Sequence, residues 1–214
     1  MKQIRPDLWE TEAEHPFPGL NTHAYLWTAP GGNVLFYNTT LDSEFDEIAE
    51  LGGVARQYLS HQDEIAPSLR TVKQRFGSTL HTTAVEAPVV AETCSVDGTF
   101  DRRGTEPPGF EVIPAPGHTP GSACFLVPGA DGETYLLTGD TLVRGEDGAW
   151  FAGYIPGHSD RASLADTLRA LADLTPTTVI SSAFTGDSGV TALGDRRWAD
   201  CVDEALRGLT QPTT

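Results

Sequence analysis

The chain has 214 residues, 39% of them hydrophobic, and this length and composition suit one globular domain with a substantial core. A formal net charge of -16 predicts repulsion from phosphate backbones, so nucleic acid is not an expected partner. No apolar run approaches the roughly 20 residues of a membrane span, and the N-terminus lacks the apolar stretch of a signal peptide. We therefore expect a cytoplasmic protein without a membrane partner.

The first half of the chain predicts a hairpin followed by two amphipathic helices. Glycine and proline separate two apolar segments, as in antiparallel strands joined by a turn. The second helix is the clearest, because its apolar residues recur at helical spacing. The predicted elements are strands at 23–28 and 33–37, a helix bearing Phe45, Ile48 and Leu51, a strand at 57–59, and a helix at 65–76.

The second half alternates further strands with helices and contains one long loop. Its predicted elements are strands at 110–113, 123–127 and 134–137, a loop at 142–158, a helix capped by Ser159, a strand at 178–181, and a helix at 195–209. The loop is rich in glycine, so we expect a surface flap. Two mixed sheets lying face to face with helices outside would satisfy this order of elements.

The cysteines Cys94, Cys124 and Cys201 show no paired spacing. This favours buried free thiols over a disulfide framework or a thiolate zinc site.

Two neighbouring segments present metal-binding side chains at strand ends. In residues 116–122, PGHTPGS, two glycines and two prolines hold His118 in a sharp turn. The apolar strand that follows ends in Asp140, and a carboxylate at the mouth of a buried strand must be paired, hydrogen-bonded or metal-bound. A histidine in a turn and an aspartate at the next strand end allow one sheet to present two ligands to one cation.

These segments resemble the metallo-β-lactamase superfamily. The resemblance rests on PGHTPGS at 116–122, LLTGDTL at 136–142, GLNTHAYLW at 19–27 and, more weakly, LSHQDEIAP at 59–67. With the order of the elements it covers nearly the whole chain. It implies an α+β fold, a four-layer αββα sandwich, in a single domain over 1–214.

The resemblance implies that His118 is the family's isolated metal histidine and Asp140 its bridging aspartate. The family's main motif, His-x-His-x-Asp-His, corresponds to the segment LSHQDE at 59–64, and two registers are open. In the register that we favour, His61 is the second histidine and Asp63 the aspartate, while a leucine and a glutamate replace the other two histidines. In the other register, His61 is the first histidine and Asp63 replaces the second.

The family's last metal histidine is absent from the segment 179–184. We therefore expect one divalent metal ion, zinc in the first place and iron or manganese as alternatives. The expected ligands are His61, Asp63, Glu64, His118 and Asp140. By the same resemblance, Asp63 is the expected general base.

The loop at 142–158 supplies the expected substrate-binding residues. Trp150 and Phe151 are expected to line an apolar pocket. His158 ends the loop, where it could replace a missing ligand or remain a solvated histidine.

The function that these expectations favour is a metal-dependent hydrolase of a small activated ester or thioester, with a small molecule as its substrate. Two alternatives stay open. One is a mononuclear iron enzyme of the persulfide-dioxygenase kind, whose iron has two histidines and one carboxylate. The other is a non-catalytic binding protein that has kept the fold and lost the metal.

Overall fold

Two β-sheets packed face to face form the centre of the protein, and helices cover their outer faces. The computed structural model describes residues 1–210. The helices are α1 (Asp42–Glu50), α2 (Ser68–Phe76), α3 (Ala87–Thr93), α4 (Arg161–Leu171) and α5 (Trp198–Thr210). The expected four-layer αββα fold is confirmed. The domain limits of 1–214 stay a prediction, and residues 211–214 lie outside the described part of the chain.

The first sheet has seven strands in the order β1-β2-β5-β6-β7-β8-β9. They are β1 (Lys2–Arg5), β2 (Leu8–Glu10), β5 (Tyr25–Trp27), β6 (Val34–Phe36), β7 (Arg56–Tyr58), β8 (Thr79–Thr83) and β9 (Gly98–Phe100). Strands β5 and β6 pair antiparallel, which confirms the predicted hairpin, and β6 to β9 run parallel.

The second sheet has six strands in the order β10-β11-β12-β13-β16-β18. They are β10 (Gly104–Glu106), β11 (Phe110–Pro114), β12 (Ala123–Pro128), β13 (Thr134–Gly139), β16 (Thr178–Ser181) and β18 (Val190–Ala192). Two smaller units complete the fold. A three-stranded sheet contains β3 (Glu14–Phe17), β4 (Leu20–Thr22) and β17 (Ala183–Phe184), and a hairpin contains β14 (Leu142–Arg144) and β15 (Trp150–Ala152).

Aromatic side chains from both sheets fill the space between them. Phe36 of the first sheet lies 5.2 Å from Phe110 and 5.0 Å from Phe125 of the second, measured between ring centroids. All three are fully or almost fully buried. Burying a side chain of this size contributes about 2–3 kcal/mol, so this cluster joins the two sheets firmly.

Two helix starts differ from the predicted ones. Helix α2 begins at Ser68 rather than at residue 65, because the residue before Pro67 is pushed away from helical backbone angles. Helix α4 is capped by Asp160, whose side chain accepts a hydrogen bond from Ser163 N at 2.7 Å, rather than by Ser159.

The segment predicted as a flap is instead folded against the body of the protein. Its β14–β15 hairpin carries Trp150, which is only 3% exposed and packs edge-on against Trp198 of α5. Side chains alternate along a strand, so Phe151 turns to the other side and is 40% exposed. The flap prediction was therefore wrong for 142–152.

The three cysteines are free and buried, as predicted. Within residues 1–210, no helix is both long and apolar enough to cross a membrane.

Candidate metal centre

His61 follows β7 and is buried. Its two ring nitrogens contact different partners. Nδ1 lies 2.8 Å from Ser60 Oγ and 3.1 Å from Glu64 Oε1, while Nε2 lies 3.5 Å from Asp140 Oδ2. Burial lowers the pKa of His61, but the two carboxylates outweigh it and raise that pKa well above its ordinary value. The negative surroundings of this ring therefore favour a cation.

His118 is held by the turn between β11 and β12. Its Nδ1–H donates to the carbonyl of Gly153 at 2.6 Å, so the lone pair is on Nε2. Nε2 is buried and has no hydrogen-bond partner among residues 1–210. A buried nitrogen without a partner costs stability unless a ligand uses it, and the ring meets His61 edge-on with centroids 4.8 Å apart.

Asp140 follows the end of β13 and faces both histidines with one oxygen. Oδ2 lies 3.5 Å from His61 Nε2 and 3.7 Å from His118 Nε2. The other oxygen accepts hydrogen bonds from Ser182 Oγ and from the backbone N–H of Ala183. Burial raises the pKa of Asp140, but the neighbouring His61 and His118 lower it well below its ordinary value.

Asp63 lies at the open side of the cluster, in the turn after His61. Its Oδ2 is 3.5 Å from His118 Nε2 and accepts a hydrogen bond from His158 Nε2 at 3.0 Å. The contact with His118 lowers the pKa of Asp63. His158, expected near the substrate, thus reaches the site through Asp63.

These distances suit one metal ion. His61, Asp63 and His118 each offer an atom within 4.8 Å of the others. Two atoms that each lie about 2.1 Å from a tetrahedral ion are about 3.4 Å apart. The separations of 3.5–3.7 Å between the histidine Nε2 atoms and the two carboxylates are close to this value. The unpartnered nitrogen and the mixed nitrogen and oxygen donors also fit a divalent cation.

Sequence and structure comparisons agree on the family. The sequence profile of the metallo-beta-lactamase superfamily matches residues 60–183, more than half of the chain. The chain belongs to the metallo-β-lactamase superfamily. No protein of curated function matches it by sequence.

Several solved structures share the fold. A metallo-beta-lactamase from Pontibacter korlensis has 18% identity and a TM-score of 0.76, over 98% of each chain. A beta-lactamase from Chitinophaga pinensis has 17% identity and a TM-score of 0.70, over 97% of this chain and 91% of its own. An archaeal superfamily protein from Sulfolobus tokodaii has 15% identity and a TM-score of 0.68, over 99% of this chain and 88% of its own.

Glu64, expected as a ligand, lies behind His61 and outside the metal-binding cluster. Its Oε2 accepts the backbone N–H of Ser60 at 2.9 Å, and its Oε1 accepts the Ser60 hydroxyl and faces His61 Nδ1. The oxygens are thus directed at the ring nitrogen opposite the site. This orientation corrects the expectation that Glu64 is a metal ligand.

Apolar side chains occupy two positions where the resemblance implies a lost histidine, Leu59 in the favoured register and Phe184 after β16. Leu59 is fully buried in a cluster with Leu69 and Leu80. Phe184 is buried and stacks on His23, with ring centroids 4.9 Å apart. Neither position offers a metal ligand.

The expected pocket residues Trp150 and Phe151 lie away from the cluster. Trp150 is part of the core beneath α4 and α5, and Phe151 borders a shallow surface depression near Gly145. The cavity beside the metal centre is instead bordered by the β3–β4 hairpin, and it has a volume of about 580 Å³.

Sequence reasoning missed two supporting residues. Ser182, which holds Asp140, directly follows the predicted strand 178–181, so its place at a strand end was a usable signal. Glu86 is buried and accepts hydrogen bonds from Thr119 Oγ1 and from Gly121 N, which fix the turn carrying His118. No pattern in the sequence connects Glu86 with that turn.

Proposed function

We propose that this protein is a metal-dependent hydrolase of a small ester or thioester. The observation that carries the proposal is the meeting of His61 Nε2, His118 Nε2, Asp140 Oδ2 and Asp63 Oδ2 beside one cavity. Membership of the superfamily supports metal-dependent hydrolysis in general.

In this proposal, His61, His118 and Asp140 hold one divalent cation, and Asp63 lies beside the same ion. Zinc comes in the first place, with iron or manganese as alternatives. When bound, such an ion lowers the pKa of a coordinated water towards neutrality and polarises a carbonyl oxygen. Glu64 and Gly153 orient the two imidazoles through their Nδ1 atoms, and Ser182 orients Asp140.

Asp63 has a separate task as the general base. The carboxylate is ionised near neutral pH, as an aspartate ordinarily is, and the contact with His118 lowers its pKa further. Its side chain is 41% exposed towards solvent. It is therefore placed to orient the attacking water and to accept a proton from it. His158 holds Oδ2 of this carboxylate by a hydrogen bond of 3.0 Å.

A small molecule is the proposed substrate. The cavity volume of about 580 Å³ lies within the range of small-molecule sites, which is roughly 300–1,000 Å³. The net charge of -16 also disfavours a nucleic-acid substrate.

The test uses the zinc-loaded protein and a panel of chromogenic esters and thioesters. We expect metal-dependent turnover, and Asp63→Asn should lower kcat by about 10²- to 10⁴-fold. The exposed Asp101→Asn should leave kcat unchanged. Absence of hydrolysis with zinc, manganese and iron would reject the proposal. Oxygen uptake by the iron-loaded protein with a persulfide would replace it by the dioxygenase alternative.

A further inference from the structure

The cavity beside the metal centre is unusual in its charge. No lysine or arginine among residues 1–210 borders it, although four carboxylates do. These are Glu14, Asp63 and Asp140, together with Glu64, which borders the cavity although its oxygens turn to Ser60 and His61. They outweigh the two positive charges of a divalent ion, so the cavity stays negative when a metal is bound. A protein of net charge -16 gives no long-range attraction to offset this.

Glu14 extends the negative charge from the metal centre to the entrance. Its carboxylate accepts hydrogen bonds from the backbone N–H of Thr40 at 2.7 and 3.0 Å and from the Thr40 hydroxyl at 2.7 Å. These bonds tie the β3–β4 hairpin to the segment before α1. The charge is thus held in place at one wall of the cavity rather than on a free side chain.

Apolar side chains form the rest of the entrance. Phe17 and Ile155 are 67% and 47% exposed, and both border the cavity. Only five large hydrophobic side chains within residues 1–210 are at least 37% exposed, and two of these five border this one cavity. Leu20, Leu41 and Ile65 continue the apolar lining inwards. Exposed apolar groups beside a cavity are typical of a binding site for an apolar ligand.

We propose that the site selects uncharged or cationic substrates with an apolar arm and excludes anionic ones. The substrate arm would lie between Phe17 and Ile155, with its ester or thioester group at the metal centre. This inference rests on the proposed function for the identity of the reacting group, but the charge selectivity does not require turnover. The Debye length is about 8 Å at physiological salt. A charge on a ligand inside the cavity lies closer than this to the carboxylates, so salt screens their repulsion or attraction only partly.

The experiment measures binding without hydrolysis. Three amides with the same hexyl arm carry a methyl, a trimethylammonium or a sulfonate group at the distal end, and each is titrated calorimetrically into the zinc-loaded protein. We expect the methyl and trimethylammonium amides to bind at least tenfold more tightly than the sulfonate. The gap should narrow in 0.5 M NaCl, because salt screens the repulsion.

Variants at the entrance assign the selectivity to this cavity. Ile155→Lys should raise the affinity for the sulfonate amide several-fold and lower that for the trimethylammonium amide. Ile155→Gln, which removes the apolar group without adding charge, should weaken all three amides alike. Val85→Lys adds the same charge on an exposed residue that does not border the cavity, and should leave the selectivity unchanged.

The outcomes separate this inference from the proposed function. If the amides bind with the expected order but no ester is hydrolysed, the charge selectivity holds and the proposed function fails. If esters are hydrolysed but the sulfonate amide binds as tightly as the others, the inference is overturned. It is equally overturned if none of the amides binds at millimolar concentration.

Discussion

At the scale of single residues, the metal centre depends on which nitrogen of each imidazole faces it. Gly153 holds Nδ1 of His118 and Glu64 holds Nδ1 of His61, so both Nε2 atoms are directed to the same place. Partners of this kind fix the tautomer and the ring orientation before a metal arrives. Glu64 therefore contributes to the proposed site without entering it.

Glu64→Ala should weaken zinc binding by about 10- to 100-fold, because His61 loses the group that orients its ring. The measurement is a competitive zinc titration against a chromophoric chelator. Glu50→Ala removes an exposed glutamate at the end of α1 and should leave the affinity unchanged. An unaltered affinity in Glu64→Ala would show that His61 needs no such partner.

Glu86 gives a prediction for pH. Burial raises the pKa of Glu86 above its ordinary 4.5, although hydrogen bonds from Thr119 and Gly121 oppose this. When folding raises the pKa of a carboxyl group, the protonated group stabilises the folded protein at every pH below its ordinary pKa. This stabilisation is lost as the pH rises through the raised pKa of the folded state. Glu86→Gln cannot ionise and keeps an oxygen for both hydrogen bonds.

The free energy of unfolding of Glu86→Gln, relative to the wild type, should therefore increase between pH 4.5 and 7.5. Urea denaturation at both pH values measures it. The exposed Glu92→Gln on α3 is the control and should show no such trend. A difference that stays constant with pH would contradict the assignment of a raised pKa to Glu86.

At the scale of elements, the sequence predicted what long patterns encode. The helices over 42–50 and 68–76 repeat apolar residues at helical spacing, and strands β12 and β13 of the second sheet contain continuous apolar runs. Strands β14 and β15 have three residues each, as β5 and β6 do, but Gly145, Gly148 and Gly153 lie between and after them. The glycines around them then suggested a loop.

The residues of the site were also predictable where a local pattern indicated them. Tight turns at strand ends indicated His118 and Asp140, and the structure brings both beside His61. Glu64 could not be assigned, because its position in the motif does not show that its oxygens turn back to Ser60. Glu86 is distant along the chain from the turn that it holds, so only the fold reveals that contact.

The β14–β15 hairpin provides a test of where its aromatic residues act. Trp150→Ala should lower the free energy of unfolding by about 3–5 kcal/mol, because it empties a packed site against Trp198. Phe151→Ala should change it by less than about 1 kcal/mol, since that side chain is 40% exposed. Chemical denaturation measures both. Loss of substrate affinity in Phe151→Ala, with stability unchanged, would restore its expected role in substrate binding.

At the scale of the whole molecule, the sandwich is that of the metallo-β-lactamase superfamily, and we propose a reduced ligand set at its edge. The ends of both sheets meet at one edge, where His61 comes from the first sheet and His118 and Asp140 from the second. In the favoured register, the family's other histidine positions carry Leu59, Glu64 and Phe184, and none of the three belongs to the cluster of His61, Asp63 and His118. We therefore expect one metal ion per chain.

Metal analysis by mass spectrometry tests this claim most directly. The protein is purified without chelators or metal-affinity resin, loaded with zinc and passed through gel filtration. We predict one equivalent of zinc in the wild type and in His81→Ala, whose histidine stacks on Tyr58 away from the cluster. In His61→Ala/His118→Ala, less than about a tenth of an equivalent should remain, because removing both imidazoles leaves only carboxylate ligands. Two equivalents in the wild type, none, or one equivalent retained by the double variant would contradict the account.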